Sequence, residues 1–281
     1  MFSARDEMSA KASRENFPVA LRLLPRNVRT NLMAIYGFAR FTDDIGDEAE
    51  GDRLALLDWL EDELELAAEG HAVHPVFRRL SPLIQNLDLD LGPFRALIEA
   101  NRVDQRVTRY ETFDDLVGYC MLSAAPVGQL VLAVFDELSA DRIAYSDQIC
   151  IGLQLVEHLQ DIGEDARRGR IYLPLEDMTR FGCTGDELLA PSASPALQEL
   201  VEMESQRARH LFEPGVPLMA SLPLQPRLAI GGFVAGGMAA LDSIERAHFD
   251  VLSVQCRPRK VDVLSHALRE LISARATGRA A

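Results

Sequence analysis

Eight stretches of the chain carry apolar residues at spacings of three and four: residues 27–47, 53–69, 93–106, 114–135, 140–166, 195–212, 226–246 and 260–274. That repeat stacks side chains on one face of a helix with 3.6 residues per turn. Between the stretches lie Gly70 and Pro75, Gly92-Pro93, the run Gly169 to Pro174, Pro191, and Pro214, Pro217 and Pro223. These residues interrupt helices because proline lacks a backbone donor and glycine costs backbone entropy. No run alternates in the manner of strands, no composition shift marks a linker, and no segment repeats. The pattern predicts one all-α domain over residues 1–281, with its core at about 13–274.

Composition narrows the class. With 281 residues, 48% of them hydrophobic, a chain of this size buries roughly 70–75% of its unfolded surface and needs no staple. The four cysteines (Cys120, Cys150, Cys183, Cys256) form no C-x-x-C pair and read as reduced thiols of a cytoplasmic protein. No signal-peptide stretch precedes Pro18, and the longest strongly apolar run, Ala229 to Leu241, falls short of the ~20 residues that span a bilayer. The expectation is a soluble protein. There are 29 basic against 43 acidic residues, a net charge of −14, which argues against nucleic acid as a partner. From Arg257 onward the balance reverses, with six cations and two acids; this is a solvated basic end, or a surface for an anionic ligand or an acidic membrane.

The densest acidic stretch holds six carboxylates between Asp43 and Asp52 and no cation. It lacks the ligand order of an EF-hand. On a helix, Asp43 and Asp47 lie one turn apart on one face, and Tyr36 and Arg40 extend that stripe upstream. Stacked like charges cost a few tenths of a kcal/mol, so the pattern wants a cation between them. A solvated acidic helix end is the plain alternative. A second stripe places Gln154, Glu157, Asp161 and Asp165 on one side of a helix whose other positions, Ile151, Leu155, Leu159 and Ile162, are apolar. A carboxylate ladder on an otherwise apolar helix suggests a cavity wall, because unpaired carboxylates are too costly to bury. Two such ladders across a cavity suit hard divalent cations such as Mg2+, which combine one or two carboxylates with substrate phosphates. Arg40 would add a bidentate phosphate contact, and Arg167, Arg168 and Arg170 more positive charge near the mouth.

From about Ser13 to Lys260 the chain resembles the squalene/phytoene synthase family of all-α isoprenoid synthases. The resemblance rests on Tyr36-x-x-x-Arg40-x-x-Asp43-Asp44-x-x-Asp47, on Tyr119-Cys120 followed by Ala125-Pro126-Val127-Gly128, and on Gln154 through Tyr172-Leu173-Pro174. It implies helices around a central cavity and a diphosphate-dependent synthase acting on C15 or C20 prenyl chains through carbocations, with two or three Mg2+ ions. Asp43, Asp47, Asp161 and Asp165 match the family's metal-binding aspartates. Tyr36, Arg40, Tyr119, Gln154 and Arg170 match substrate-pocket positions, to which Asn16, Gln160, Val127 and Gly128 are added. The opening Ala12 to Ala20 is most similar to bacterial hydroxysqualene synthases. That likeness implies ionisation of presqualene diphosphate and capture of the cation by water, in company with a presqualene diphosphate synthase and a hydroxysqualene reductase. It also implies contact with the inner face of a membrane for release of the lipid product.

Two departures bear on this expectation. Many condensing members carry Asn where this chain has Glu157, and Arg where it has Gln160. Loss of that Arg puts the condensation of two prenyl diphosphates in doubt, and Glu157 is expected to orient or deprotonate the attacking water or to hold a metal. The alternatives are a condensing phytoene, dehydrosqualene or presqualene diphosphate synthase, and a catalytically silent binding or assembly protein of the same fold. Elsewhere the sequence reads as structural. Thr112-x-x-Asp115 is a helix cap, the Gly231-Gly232 and Gly236-Gly237 pairs serve close packing or leave room for a long prenyl chain, His158 is a hydrogen-bonded core or interface histidine, and Trp59 packs.

Overall fold

The computed structural model describes the backbone of residues 24–277 and the side chains of residues 24–269. Asn16 and the stretch Ala12 to Ala20 therefore lie outside the described residues. Among the described residues thirteen α-helices follow one another: α1 Arg26–Glu48, α2 Arg53–Ala68, α3 Pro75–Leu87, α4 Gly92–Asp104, α5 Phe113–Ser123, α6 Ala125–Val134, α7 Ala140–Gln160, α8 Ile162–Arg167, α9 Leu175–Phe181, α10 Pro195–His210, α11 Gly215–Ser221, α12 Leu224–Arg246 and α13 Lys260–Thr277. One 3-10 turn, Gly185–Leu189, joins α9 to α10. Among the described residues there is no strand, only an isolated bridge between Arg109 and Ile171. The fold is all-α, as the periodicity requires.

The differences from the sequence pattern have local causes. The segment 114–135 is two helices: Ala124 leaves the helical region with φ −120° and ψ −48°, and Pro126, which has no N–H to continue the earlier ladder, lies in the first turn of α6. The segment 140–166 bends at Asp161, with φ −105° and ψ 11°, while the bonds from Asp161 N to Glu157 O (3.0 Å) and from Asp165 N to Asp161 O (2.8 Å) continue. The carboxylate ladder thus crosses a bend. Helices α3 and α11 were hidden by prolines that read as breakers. Pro75 opens α3, where the missing N–H has no partner to lose. The capping box at Thr112 forms, with Asp115 N to Thr112 Oγ1 at 3.2 Å and Thr112 N to Asp115 Oδ2 at 3.0 Å.

Three apolar clusters hold the helices. The first joins α1 to α4 with α6 around Phe38, which meets Phe77 and Phe94 edge-on at 5.7 and 5.2 Å. The second joins α5, α7, α10, α11 and α12. The third gathers the end of α7, α8, α9, the 3-10 turn, α10 and the Val251–Cys256 segment. Helix α12 touches all three, through Ala229, Val234 and Ile244 in turn. Segments Phe113–Val134 and Leu224–Arg246 are long and apolar enough to cross a membrane, which extends the shorter apolar run read from the sequence, but 56% and 67% of their most apolar windows are buried inside the protein. Their apolar character serves the core.

Helix α6 approaches α7 closely at Gly128, which is buried. A Cβ there would lie 2.3 Å from Ser146 Oγ and 2.6 Å from Cys150 Sγ. The closeness of two helices, which a side chain would forbid, accounts for Gly128, a position assigned to the substrate pocket from the sequence. Val127 packs half-buried against the first cluster. Gly128→Val is expected to destabilise the protein by about 1–3 kcal/mol through overpacking, read as a lower urea midpoint at unchanged slope.

Candidate active site

The first ladder sits on the last two turns of α1. Asn101 of α4 donates its amide to Asp43 Oδ1 at 3.2 Å, and Gln105, one turn later, donates to the Gly46 carbonyl at 3.0 Å. A Cβ on Gly46 would fall 2.0 Å from Asn101 Oδ1, so glycine inside the acidic motif is what lets α4 reach the aspartates. Asp43 keeps an edge open to solvent, yet protein crowds it; burial, with the neighbouring charge of Asp47, raises its carboxyl to about 7 against the pull of Asn101.

The second ladder bends with α7 into α8. Burial raises the Asp165 carboxyl to about 7, helped by Asp161, and burial also raises Asp161. Glu157 is exposed one turn before Asp161. Gln154 meets the His158 ring at 3.3 Å. As read from the sequence, His158 turns away from the ladder. It stacks on Tyr172 at 3.9 Å, and burial lowers it to about 3, so the ring is neutral.

Arg170 brings the two ladders together. Its guanidinium lies 2.6 Å from Asp47 Oδ1 and near enough to Asp165 and Asp104 to favour their charged forms. Arg40, expected to contact phosphate from one turn before Asp43, contacts Asp44 at 2.9 Å and reaches Glu48 at 4.0 Å. That ion pair with the next turn competes with any phosphate for the same cation. Arg168 pairs with Glu164 at 3.0 Å. Gln160 is turned from the ladder, and its amide donates to the Cys256 carbonyl. It ties the segment before α13 to the bend instead of facing the ladder. Tyr36 lies half-buried in α1, one turn before Arg40.

Behind Arg170 stands an aromatic wall that the sequence reading found only in part. Tyr119 and Tyr172 both donate to Asp104, at 2.7 and 3.1 Å, and Tyr110 lies 5.4 and 5.9 Å from their rings. Tyr172 is placed by the bonds Ile171 N to Thr108 O and Leu175 N to Tyr110 O, both 2.9 Å. Helix α9 is then pinned by Arg207, 2.8 Å from Asp177 and 2.9 Å from Glu204. Asn101 and Asp104 carried a signal: polar residues three apart on the face of α4 that holds Leu97 and Ile98. A small cavity under the wall is lined by His158, Asp165, Arg170, Tyr172 and Leu155, among others.

Among the described residues, no three acidic, histidine or cysteine side chains converge closely enough to hold a metal by themselves. The donor set still fits Mg2+. It is all carboxylate oxygen, and Asp43 and Asp165 resist ionisation through burial first and the neighbouring aspartates second, a cost that a hard cation would relieve. The pH dependence of the metal-free protein follows. Carboxyls raised from 3.8 to about 7 bind protons in the folded state that the unfolded chain has released, so stability falls as pH rises from about 4 to about 7. In a melting series across pH 4–8 with EDTA, Asp43→Asn and Asp165→Asn are each expected to flatten that fall, and Mg2+ with diphosphate to raise Tm most at pH 8.

A sequence profile of the squalene/phytoene synthase family matches residues 10–264. A phytoene synthase of Arthrospira platensis is 35% identical over 254 residues, covering 85% of this chain and 82% of the relative. A hydroxysqualene synthase of Zymomonas mobilis is 38% identical, covering 71% and 68%. The crystal structure of squalene synthase HpnC from Alicyclobacillus acidocaldarius superposes with a TM-score of 0.79 at 38% identity, covering 87% of this chain and 95% of that one. With paired aspartate ladders, an all-helical frame and matched relatives over most of its length, the chain belongs to the squalene/phytoene synthase family.

Proposed function

We propose that the protein ionises presqualene diphosphate and directs water to the rearranged cation, giving hydroxysqualene and diphosphate. The observation that carries this reading is the pairing of the two ladders through Arg170, 2.6 Å from Asp47 and beside Asp165, with an aromatic wall immediately behind. Relatives named hydroxysqualene synthase, 35–38% identical to the chain, supply the specific reaction.

Asp43, Asp47, Asp161 and Asp165 would hold Mg2+, which, when bound, neutralises charge on the departing diphosphate. The chain's own residues do the rest. Arg170 and Arg40 bind diphosphate oxygens, Arg40 by exchanging its contact with Asp44. The rings of Tyr119 and Tyr172 present electron-rich faces to a developing carbocation. His158, held neutral, adds no repelling charge there. The apolar walls exclude bulk water, and Glu157, at the exposed edge of the second ladder, orients the single water that is admitted. We place this activity in the cytoplasm at the inner membrane face, between a presqualene diphosphate synthase and a hydroxysqualene reductase.

A condensing synthase is the second reading, favoured by the 35% identity to a phytoene synthase. A silent binding protein has no need of two intact ladders. Purified protein with Mg2+ and presqualene diphosphate is expected to yield hydroxysqualene, and farnesyl diphosphate alone to yield nothing, by mass spectrometry of the lipid extract. Product from farnesyl or geranylgeranyl diphosphate alone would establish the condensing reading. Glu157→Gln is expected to lower kcat for the alcohol by about 100-fold, the scale of general-base assistance; wild-type turnover would remove Glu157 from the mechanism.

A further inference from the structure

Asp104 ends α4 and touches neither ladder directly, yet three elements of the site converge on it. Its two oxygens are taken separately, Oδ2 by the Tyr119 hydroxyl at 2.7 Å and Oδ1 by the Tyr172 hydroxyl at 3.1 Å. Burial raises the Asp104 carboxyl, and the Tyr119 hydroxyl, the charge of Arg170 (itself bound to Asp47) and the Tyr172 hydroxyl oppose that rise. Tyr119 comes from α5 and Tyr172 from the segment after α8, so no local geometry brings their hydroxyls together. The carboxylate does so.

We propose that Asp104 is a positioning residue that fixes the orientation and polarity of the tyrosine wall. Each hydroxyl donates to its own oxygen of Asp104, so both phenol hydrogens are committed to it. Neither tyrosine then has a proton to offer the cavity, and each phenol oxygen is left as an acceptor beside an electron-enriched ring. That polarity suits a wall facing a cation and would be lost if either hydroxyl turned round. The same carboxylate draws Arg170 toward the wall, linking the tyrosines to Asp47 of the first ladder. The catalytic consequence rests on the carbocation reading above; the orientation of the tyrosines does not.

Asp104→Asn tests both. Its carbonyl can accept one phenol, but its NH2 faces the other with a donor, and the charge opposite Arg170 is gone. With 13Cζ-labelled tyrosine, the protein gives signals from its five tyrosines, and the variant is expected to shift those of Tyr119 and Tyr172 while Tyr145 stays in place. In turnover of presqualene diphosphate, kcat is expected to fall on the order of 100-fold with KM nearly unchanged, the scale of a misplaced catalytic group. Adding Tyr119→Phe should cost little more, because the pair acts as a unit. Unmoved Tyr119 and Tyr172 signals, or full additivity of the two substitutions, would overturn the proposal. Should Asp104→Asn not fold, Tyr119→Phe alone decides: the Tyr172 signal is expected to move as the freed carboxylate turns to it, and a fixed signal overturns the proposal. A wild type inactive on every prenyl diphosphate would defeat the functional reading, leaving the resonance measurement to judge Asp104.

Discussion

The Arg170–Asp47 ion pair, at 2.6 Å, answers the main physical difficulty of this fold, which is to keep several carboxylates close together. Each aspartate that loses water there is disfavoured by burial and by its neighbours, as the raised Asp43 and Asp165 carboxyls record. One guanidinium from a segment far along the chain lies among Asp47, Asp165 and Asp104 and offsets part of that repulsion. What remains uncompensated is a site short of positive charge, which is the electrostatic condition for recruiting cations together with an anionic diphosphate.

The surrounding structure serves the placement of that arginine. Arg207 clamps Asp177 and Glu204 while stacking 4.1 Å over Phe113, and Phe113 N is bonded to Glu176 at 2.7 Å. The strap from Arg170 to Leu175 is thereby held against α5 and the end of α4. On the other wall, Gly46 and Gly128 let neighbouring helices approach to distances that a side chain would forbid. The small cavity sits at the seam between the second and third apolar clusters, lined by Leu116 and Leu155 on one side and by Leu159, Ile162 and Leu173 on the other.

Much of this was legible in the chain. Helical periodicity gave the class and most helix bounds to within a few residues, and the spacing of Asp43 with Asp47 and of Asp161 with Asp165 marked both ladders. Prolines misled where they opened helices, as at Pro75, since proline obstructs a helix interior but suits its first turn. The partners of site residues were the harder part. Arg40 lies on the stripe with Asp43 and Asp47 but pairs with Asp44, and Gln160 sits beside Asp161 but bonds to Cys256. Spacing fixes the face a residue occupies to within about 100° and says nothing of which rotamer it takes. Asp104 and Asn101 escaped notice because two polar residues near the end of an amphipathic helix have many innocuous explanations.

The sequence alone determined the all-α class, the two carboxylate ladders and the family likeness, because each depends on short-range periodicity or on motifs that span no more than about twenty positions. Only the tertiary structure decided that Arg170 would join the ladders, that Asp104 would gather Tyr119 and Tyr172, and that Gly46 and Gly128 would serve close helix contacts. Those pairings link residues separated by 15 to 123 positions or lie between helices. Contacts of that kind are set by how whole helices pack, which involves every apolar face at once, and no local spacing encodes them.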